Sequence, residues 1–189
     1  MTQTALIVID MQNAFLHPDG ENGYEAAAQV IGPVKRLIAT ARTHDRLIVH
    51  TLDRHRPGVP DFEQPKLPVH GIEGTKDAAY YDGFGPQPGS PREIEIVKRR
   101  YSAFFATELG ILLHEHRIGR VVICGVKTNN CVRATSQDAF AWGFEVVVPR
   151  EATNSNRPHL AAASLEDIDR YMGRVVALDD ALTMLAGGT

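Results

Sequence analysis

The chain has 189 residues, with 20 Lys+Arg against 23 Asp+Glu and a formal net charge of −3. It lacks the cationic field that a phosphate backbone or an anionic lipid surface demands, so neither nucleic acid nor membrane is an expected partner. Hydrophobic residues at 43%, with Gly 16 and Pro 11, are globular proportions, and a chain of this size buries roughly two-thirds of its unfolded surface in one domain, here expected to span 1–189.

The opening MTQTALIVIDMQ has no cationic start, and Asp10 stands where a secretory cleavage site would want small residues. Together with the lack of any run near the 18 apolar residues that a spanning helix needs, this predicts a cytoplasmic protein. Residues 4–9 (TALIVI) are a continuous β-branched run, the pattern of a strand covered on both faces, and end at Asp10. Apolar side chains at helical spacing (Val30, Val34, Leu37, Ile38, Ala41) predict a helix over 26–42, and LIVHTL a strand over 47–52, followed by Asp53. Residues 54–91 hold Pro57, Pro60, Pro65, Pro68, Pro86, Pro88 and Pro91. A loop that long inside a compact domain is usually functional or disordered, and its His and aromatic residues suggest a binding wall. Beyond it the pattern predicts strands over 94–97, 121–124, 146–148 and 175–178, and helices over 106–116, 131–142 and 159–172.

This alternation implies an α/β fold: a three-layer α/β/α sandwich around a mainly parallel, Rossmann-like sheet with right-handed crossovers. Ligands in such sheets bind outside the carboxyl ends of the strands, where strand order reverses. Asp10 and Lys98 end strands there, and Cys131 opens a helix just after one. A helix N-terminus offers free N–H groups and partial positive charge, which favour thiolate over thiol and can hold a developing oxyanion. Cys131 is therefore either a nucleophile or a buried, inert thiol; Cys124, inside VVIC, takes the inert reading. No His is an obvious base for the thiol. Asp10 could serve, with Lys98 balancing its charge, or the two could form a simple structural ion pair. Two cysteines without Cys-x-x-Cys spacing suit a reducing compartment.

VIDMQNAF (8–15), IVKRRYSAF (96–104) and GVKTNNCVRAT (125–135), in that order and each at a strand end, are similar to the motifs of the isochorismatase-like cysteine hydrolases. That superfamily includes nicotinamidases, N-carbamoylsarcosine amidohydrolase, ureidoacrylate and biuret hydrolases, and isochorismatases. The resemblance implies a catalytic Asp10, Lys98 and Cys131, a cis peptide between Val126 and Lys127, an oxyanion hole from the backbone N–H groups of Lys127 and Cys131, and a homo-oligomer. Isochorismatases proper cleave a vinyl ether and can lack the cysteine. Retention of Cys131 points instead to hydrolysis of a small amide or ureido C–N bond, with no organic cofactor.

Asp53, His55 and His70 look like the Asp-x-His…His set that binds a divalent ion in nicotinamidases, and such donors suit zinc, iron or manganese; they are equally readable as ordinary loop side chains. Phe15 is the aromatic of the pocket that the resemblance retains. Leu67 stands three residues before His70, where similar nicotinamidases carry a ring-stacking Trp, which argues against nicotinamide as substrate. Two other readings stay open: a nicotinamidase proper, and a non-catalytic protein that binds a small molecule on the same fold. Gly83-x-Gly85 follows no strand and is no dinucleotide motif. Arg99 and Arg100 read as a solvated charge run, and Trp142 as packing.

Overall fold

The structure, a computed structural model, describes residues 2–63 and 65–188. The expected 1–189 domain thus begins and ends on residues outside the described set. Strands β1 (Gln3–Ile9), β2 (Ile48–Asp53), β3 (Glu93–Lys98), β4 (Ile118–Val126), β5 (Glu145–Pro149), β6 (Thr153–Asn154) and β7 (Arg174–Val176) form one sheet, in the order β3-β2-β1-β4-β5-β7, with β6 also on β4. All of these pairings are parallel. The helices are α1 (Asn13–Leu16), α2 (Ile31–Thr43), α3 (Leu109–Glu115), α4 (Arg133–Ala141), α5 (Pro158–Tyr171) and α6 (Leu178–Ala186).

Alternation along the strands divides the core into two layers. Leu6, Val8, Ile48, Val122 and Cys124 pack with α2 and α6. Ala5, Ile7, Val49, Val121 and Ile123 pack on the opposite face, with Leu113 of α3, Ala139 of α4 and Ile168 of α5. Helix α2 buries Val34, Leu37, Ile38 and Ala41, one stripe at the spacing of an amphipathic helix. The expected three-layer parallel architecture is therefore the observed one.

Differences lie at element ends. Helix α2 starts at Ile31 rather than 26, after a 3₁₀ segment at Glu25–Val30. Helix α3 starts at Leu109 rather than 106, because Ala106 adopts a left-handed φ of 54° that no helix accommodates. Strand β4 extends the expected 121–124 to nine residues. Helices α1 and α6 and strand β6 were not anticipated. Helix α6 buries Leu178, Ala181, Met184 and Leu185 and carries Asp179 and Asp180 in its first turn, where they favour the positive end of the helix.

From β1 the chain builds β2 and β3 outward on one side, then crosses to place β4 on the other side of β1. Strand order reverses between β1 and β4, and the crevice beyond their carboxyl ends is the place for a ligand. Gly125 permits the close approach there: at its φ of 109°, an added Cβ would lie 2.1 Å from the Ile9 carbonyl oxygen.

Candidate active site

Asp10 follows β1 with φ 51°, a left-handed conformation that Asp tolerates better than most residues. Thr51 on the neighbouring strand holds it at both ends: the Asp10 N–H donates to Thr51 Oγ1 at 3.1 Å, and that hydroxyl donates to Asp10 Oδ1 at 2.6 Å. Gln12 ties the ends of β1 and β2 together, accepting from the Asp53 N–H at 2.7 Å and donating to the carbonyls of Asp53 and Ala78. Asp53 and Lys98 are register partners at the ends of β2 and β3. These ties turn strand register into side-chain position.

Lys98 Nζ lies 2.7 Å from Asp10 Oδ2, 3.9 Å from Asp53 Oδ2 and 3.4 Å from Cys131 Sγ. The side chains of Asp10 and Lys98 are completely shielded, and Cys131 is 6% exposed. Burial pulls the Lys98 pKa down, but the carboxylates of Asp10 and Asp53 beside it outweigh that and hold it above the ordinary lysine value. Burial pushes the Asp10 carboxyl up, against the pull of Lys98.

Cys131 sits in a π-type turn (Thr128–Val132) between β4 and α4, so the helix expected over 131–142 proper begins at Arg133. The turn was expected to favour thiolate, and the surroundings of the sulfur oppose it. Burial, with Asp10 and Asp53 adding to it, drives the thiol pKa well above its ordinary value despite Lys98. Cys124 is fully buried in the α2/α6 layer, with its thiol also pushed up by burial. The Val126–Lys127 peptide is cis.

A second cluster adjoins the first. Residues 54–91 leave β2 and return, and the return runs parallel to His55: the His55 N–H donates to the Gly71 carbonyl and the Glu73 N–H to the His55 carbonyl, both at 2.9 Å. Gly71 makes this possible at φ 57°, where a Cβ would meet the Asp53 carbonyl oxygen at 2.6 Å. His70 is thereby carried back to Asp53. Its Nε2 lies 3.4 Å from Asp53 Oδ2, and His55 Nε2 lies 3.4 Å from Asp53 Oδ1.

The far ring nitrogens are fixed, His55 Nδ1 by Asp61 at 2.9 Å and His70 Nδ1 by the Pro68 carbonyl at 2.7 Å. Arg100 pairs with Asp61 at 3.1 Å behind them. Asp53 Oδ1 and His55 Nε2 are buried without a hydrogen-bond partner. Donor atoms of Asp53, His55 and His70 lie within 4.8 Å of one another. Anchored Nδ1 atoms with Nε2 atoms turned on one carboxylate fit a divalent ion. Asp53, with Asp61, draws a proton onto His55 and pushes its pKa up to about 9, so an ion there would displace that proton. Lys98 and the two imidazoles overcome burial and hold Asp53 well below the usual carboxylate range.

A narrow recess, open to solvent, leads to Cys131 between Phe15, Leu67, His70, Tyr101, Lys127 and Asn130. Phe15 and Leu67 both line it. Thr51, Gln12 and Tyr101 were not singled out from sequence, since their roles depend on which strand end or loop faces them. Arg133 is turned away from the thiol and pairs with Asp167 at 3.0 Å. Trp142 stacks on Phe104 at 6.3 Å, although 47% exposed. No helix among the described residues is long and apolar enough to cross a membrane.

A parallel sheet with a cysteine, a lysine and an aspartate at its switch point defines a class of small-molecule hydrolases, and the comparisons with known proteins agree. The isochorismatase domain matches residues 4–180. Maleamate amidohydrolase of Pseudomonas putida is 34% identical, over 96% of this chain and 86% of that protein. The nicotinamidase of Bacillus subtilis superposes with a TM-score of 0.87 at 28% identity, covering 93% of this chain and all of that one. The pyrazinamidase of Pyrococcus horikoshii, solved in complex with zinc, gives 0.83 at 31% identity over 93% and 99%. The chain belongs to the isochorismatase family: it is an isochorismatase-like amidohydrolase.

Proposed function

We propose that the chain is a single-domain, cysteine-dependent hydrolase of a small amide or ureido C–N bond, working through a thioester with Asp10, Lys98 and Cys131. The observation that carries this reading is the contact of Lys98 Nζ with both Asp10, at 2.7 Å, and Cys131, at 3.4 Å, in a buried cluster at the floor of an open recess.

The substrate carbonyl enters above Cys131. Asp10 takes the thiol proton as sulfur attacks, and Lys98 keeps the added negative charge tolerable in a dry site. Backbone N–H groups of Lys127 and Cys131 receive the oxyanion, donors of the kind that the first turn of a helix leaves free. The proton then passes from Asp10 to the departing nitrogen. An amide releases ammonia and leaves the acyl group on sulfur; water, deprotonated by Asp10, cleaves the thioester to acid and free thiol.

Asp53, His55 and His70 would hold a zinc, iron or manganese ion, which would supply a Lewis acid to polarise and orient the substrate. Phe15, Leu67 and Tyr101 shape the recess. With Leu67 where a stacking aromatic would stand, a small aliphatic substrate is favoured over nicotinamide. The test is ammonia release from maleamate, nicotinamide, carbamoyl amino acids and biuret, by wild type and Cys131→Ala. Turnover of an aliphatic amide or ureide, lost in the variant, is expected; turnover that survives the variant would contradict the reading.

A further inference from the structure

The two oxygens of the Asp10 carboxylate keep different company. Oδ1 accepts the Thr51 hydroxyl at 2.6 Å, whereas Oδ2 lies 2.7 Å from Lys98 Nζ, the ammonium that also reaches Cys131 Sγ at 3.4 Å. A carboxylate that takes a proton from sulfur and hands it to nitrogen could carry it on either oxygen, but only the oxygen that shares Lys98 with the sulfur is on the reacting side.

The Thr51 hydroxyl has a single proton to give. The Asp10 N–H donates into the hydroxyl oxygen at 3.1 Å, and the hydroxyl proton is turned onto Asp10 Oδ1; among the described residues Thr51 Oγ1 has no further partner. A proton on Oδ1 would face that donor and leave the hydroxyl with nothing to donate to, in a place where both Thr51 and Asp10 are completely buried. Oδ2 is under no such bar. Lys98 has three N–H groups and two other partners, Cys131 Sγ and, at 3.9 Å, Asp53 Oδ2, so it can turn to them while Oδ2 holds a proton. Thr51 lies within β2, where its branched side chain has little freedom about χ1, and it is not among the residues lining the recess.

We propose that Thr51 is a positioning residue that makes Asp10 a one-sided base, reserving Oδ1 as a permanent acceptor so that the shuttled proton can sit only on Oδ2. This rests on the amidohydrolase reading and deepens it. The S–H bond of Cys131 breaks as sulfur bonds to the substrate carbonyl carbon, its proton going to Oδ2; the same proton leaves Oδ2 for the nitrogen as the C–N bond breaks. Without the Thr51 hydroxyl, Oδ1 becomes an equal resting place for the proton, turned away from both reacting atoms. The Thr51 bond is a hydrogen bond to a charged group, and losing it should cost roughly 10- to 100-fold in kcat.

Two pairs of chains differ chiefly in that hydroxyl: wild type against Thr51→Val, matched in shape, and Thr51→Ser against Thr51→Ala. For each, kcat and KM for ammonia release and the rate of Cys131 alkylation by iodoacetamide are measured, in the wild-type background and in Asp10→Asn, with Tm beside them. Val and Ala should lower kcat about 10- to 100-fold with KM unchanged, and slow alkylation in the same order, while Ser recovers most of both losses. In Asp10→Asn, where there is no base to direct, the same Thr51 substitutions should cost little more. Should Thr51→Val not fold, the Ser and Ala pair decides. Undiminished rates without the hydroxyl, equal losses in Ser and Ala, or the full loss repeated in Asp10→Asn would overturn the proposal and leave the amidohydrolase reading standing. No turnover of any amide by wild type, with alkylation still following the Thr51 hydroxyl only while Asp10 is present, would uphold the one-sided base and overturn the amidohydrolase reading instead.

Discussion

Two clusters share the carboxyl edge of the sheet, and they are held by different means. Asp10, Lys98 and Cys131 stand at the ends of β1 and β3 and in the turn after β4, so the ladder that pairs β3, β2, β1 and β4 also sets their separations. Asp53 shares that ladder, but His55 and His70 belong to the loop, and His70 returns through the short pairing of His55 with the stretch after Gly71 and through the Gly71 N–H donated to Glu21. The proposed bond-breaking groups ride on or directly after sheet strands, and the proposed metal ligands partly on a loop held by scattered hydrogen bonds rather than by a ladder. Damage to the first cluster should therefore remove activity, and damage to the second should tune it.

The largest effect short of losing the nucleophile is expected at Lys98. Lys98→Ala leaves Asp10 and Asp53 buried without their cation, and breaking a buried ion pair in this way costs roughly 3–5 kcal/mol. Thermal unfolding should show a fall in Tm together with the loss of turnover. Asp10→Asn is milder in stability and severe in rate. Removing the base should lower kcat by about 100-fold or more, with an unchanged circular dichroism spectrum.

The pH profile sharpens the same point. Burial raises the Asp10 pKa above its ordinary 3.8, and the base must be ionised to act. Activity should fall as pH drops through that raised value, so the acid limb of kcat/KM should lie above the ordinary carboxylate range.

The smallest effects are expected in the loop cluster. His55→Ala and His70→Ala should each lower metal content by elemental analysis and reduce kcat/KM by roughly 10- to 100-fold, with Cys131 still open to alkylation. Metal-free wild type with full activity would make this cluster structural and break the comparison.

Much of this was legible in the sequence because buried parallel strands write themselves as β-branched runs. TALIVI and the VVIC of β4 lie covered on both faces, and Asp10 follows the first of these runs directly. Helix α6 escaped because its apolar stripe begins immediately after β7, where Val175 to Leu178 reads equally as strand. Thr51 and Gln12 were invisible for a different reason: each is defined by a neighbour across the ladder, and register is not a local property. The surroundings of Cys131 were only half legible: local helix geometry favours thiolate, whereas burial and the carboxylates of Asp10 and Asp53, which arrive from strands 121 and 78 residues away in sequence, oppose it. The seat of Lys127 on Phe15 and Tyr24 joins residues from three separate segments, so it could be recognised only after folding.

The central claim is that Cys131 carries the acyl group. Wild-type enzyme quenched in acid during turnover of the amide that the ammonia screen selects should show an added mass equal to the substrate less ammonia. The adduct should map to the peptide containing Cys131, not Cys124, and be released by hydroxylamine as a thioester is. Sustained turnover with both cysteines unmodified, and undiminished in Cys131→Ala, would contradict the account.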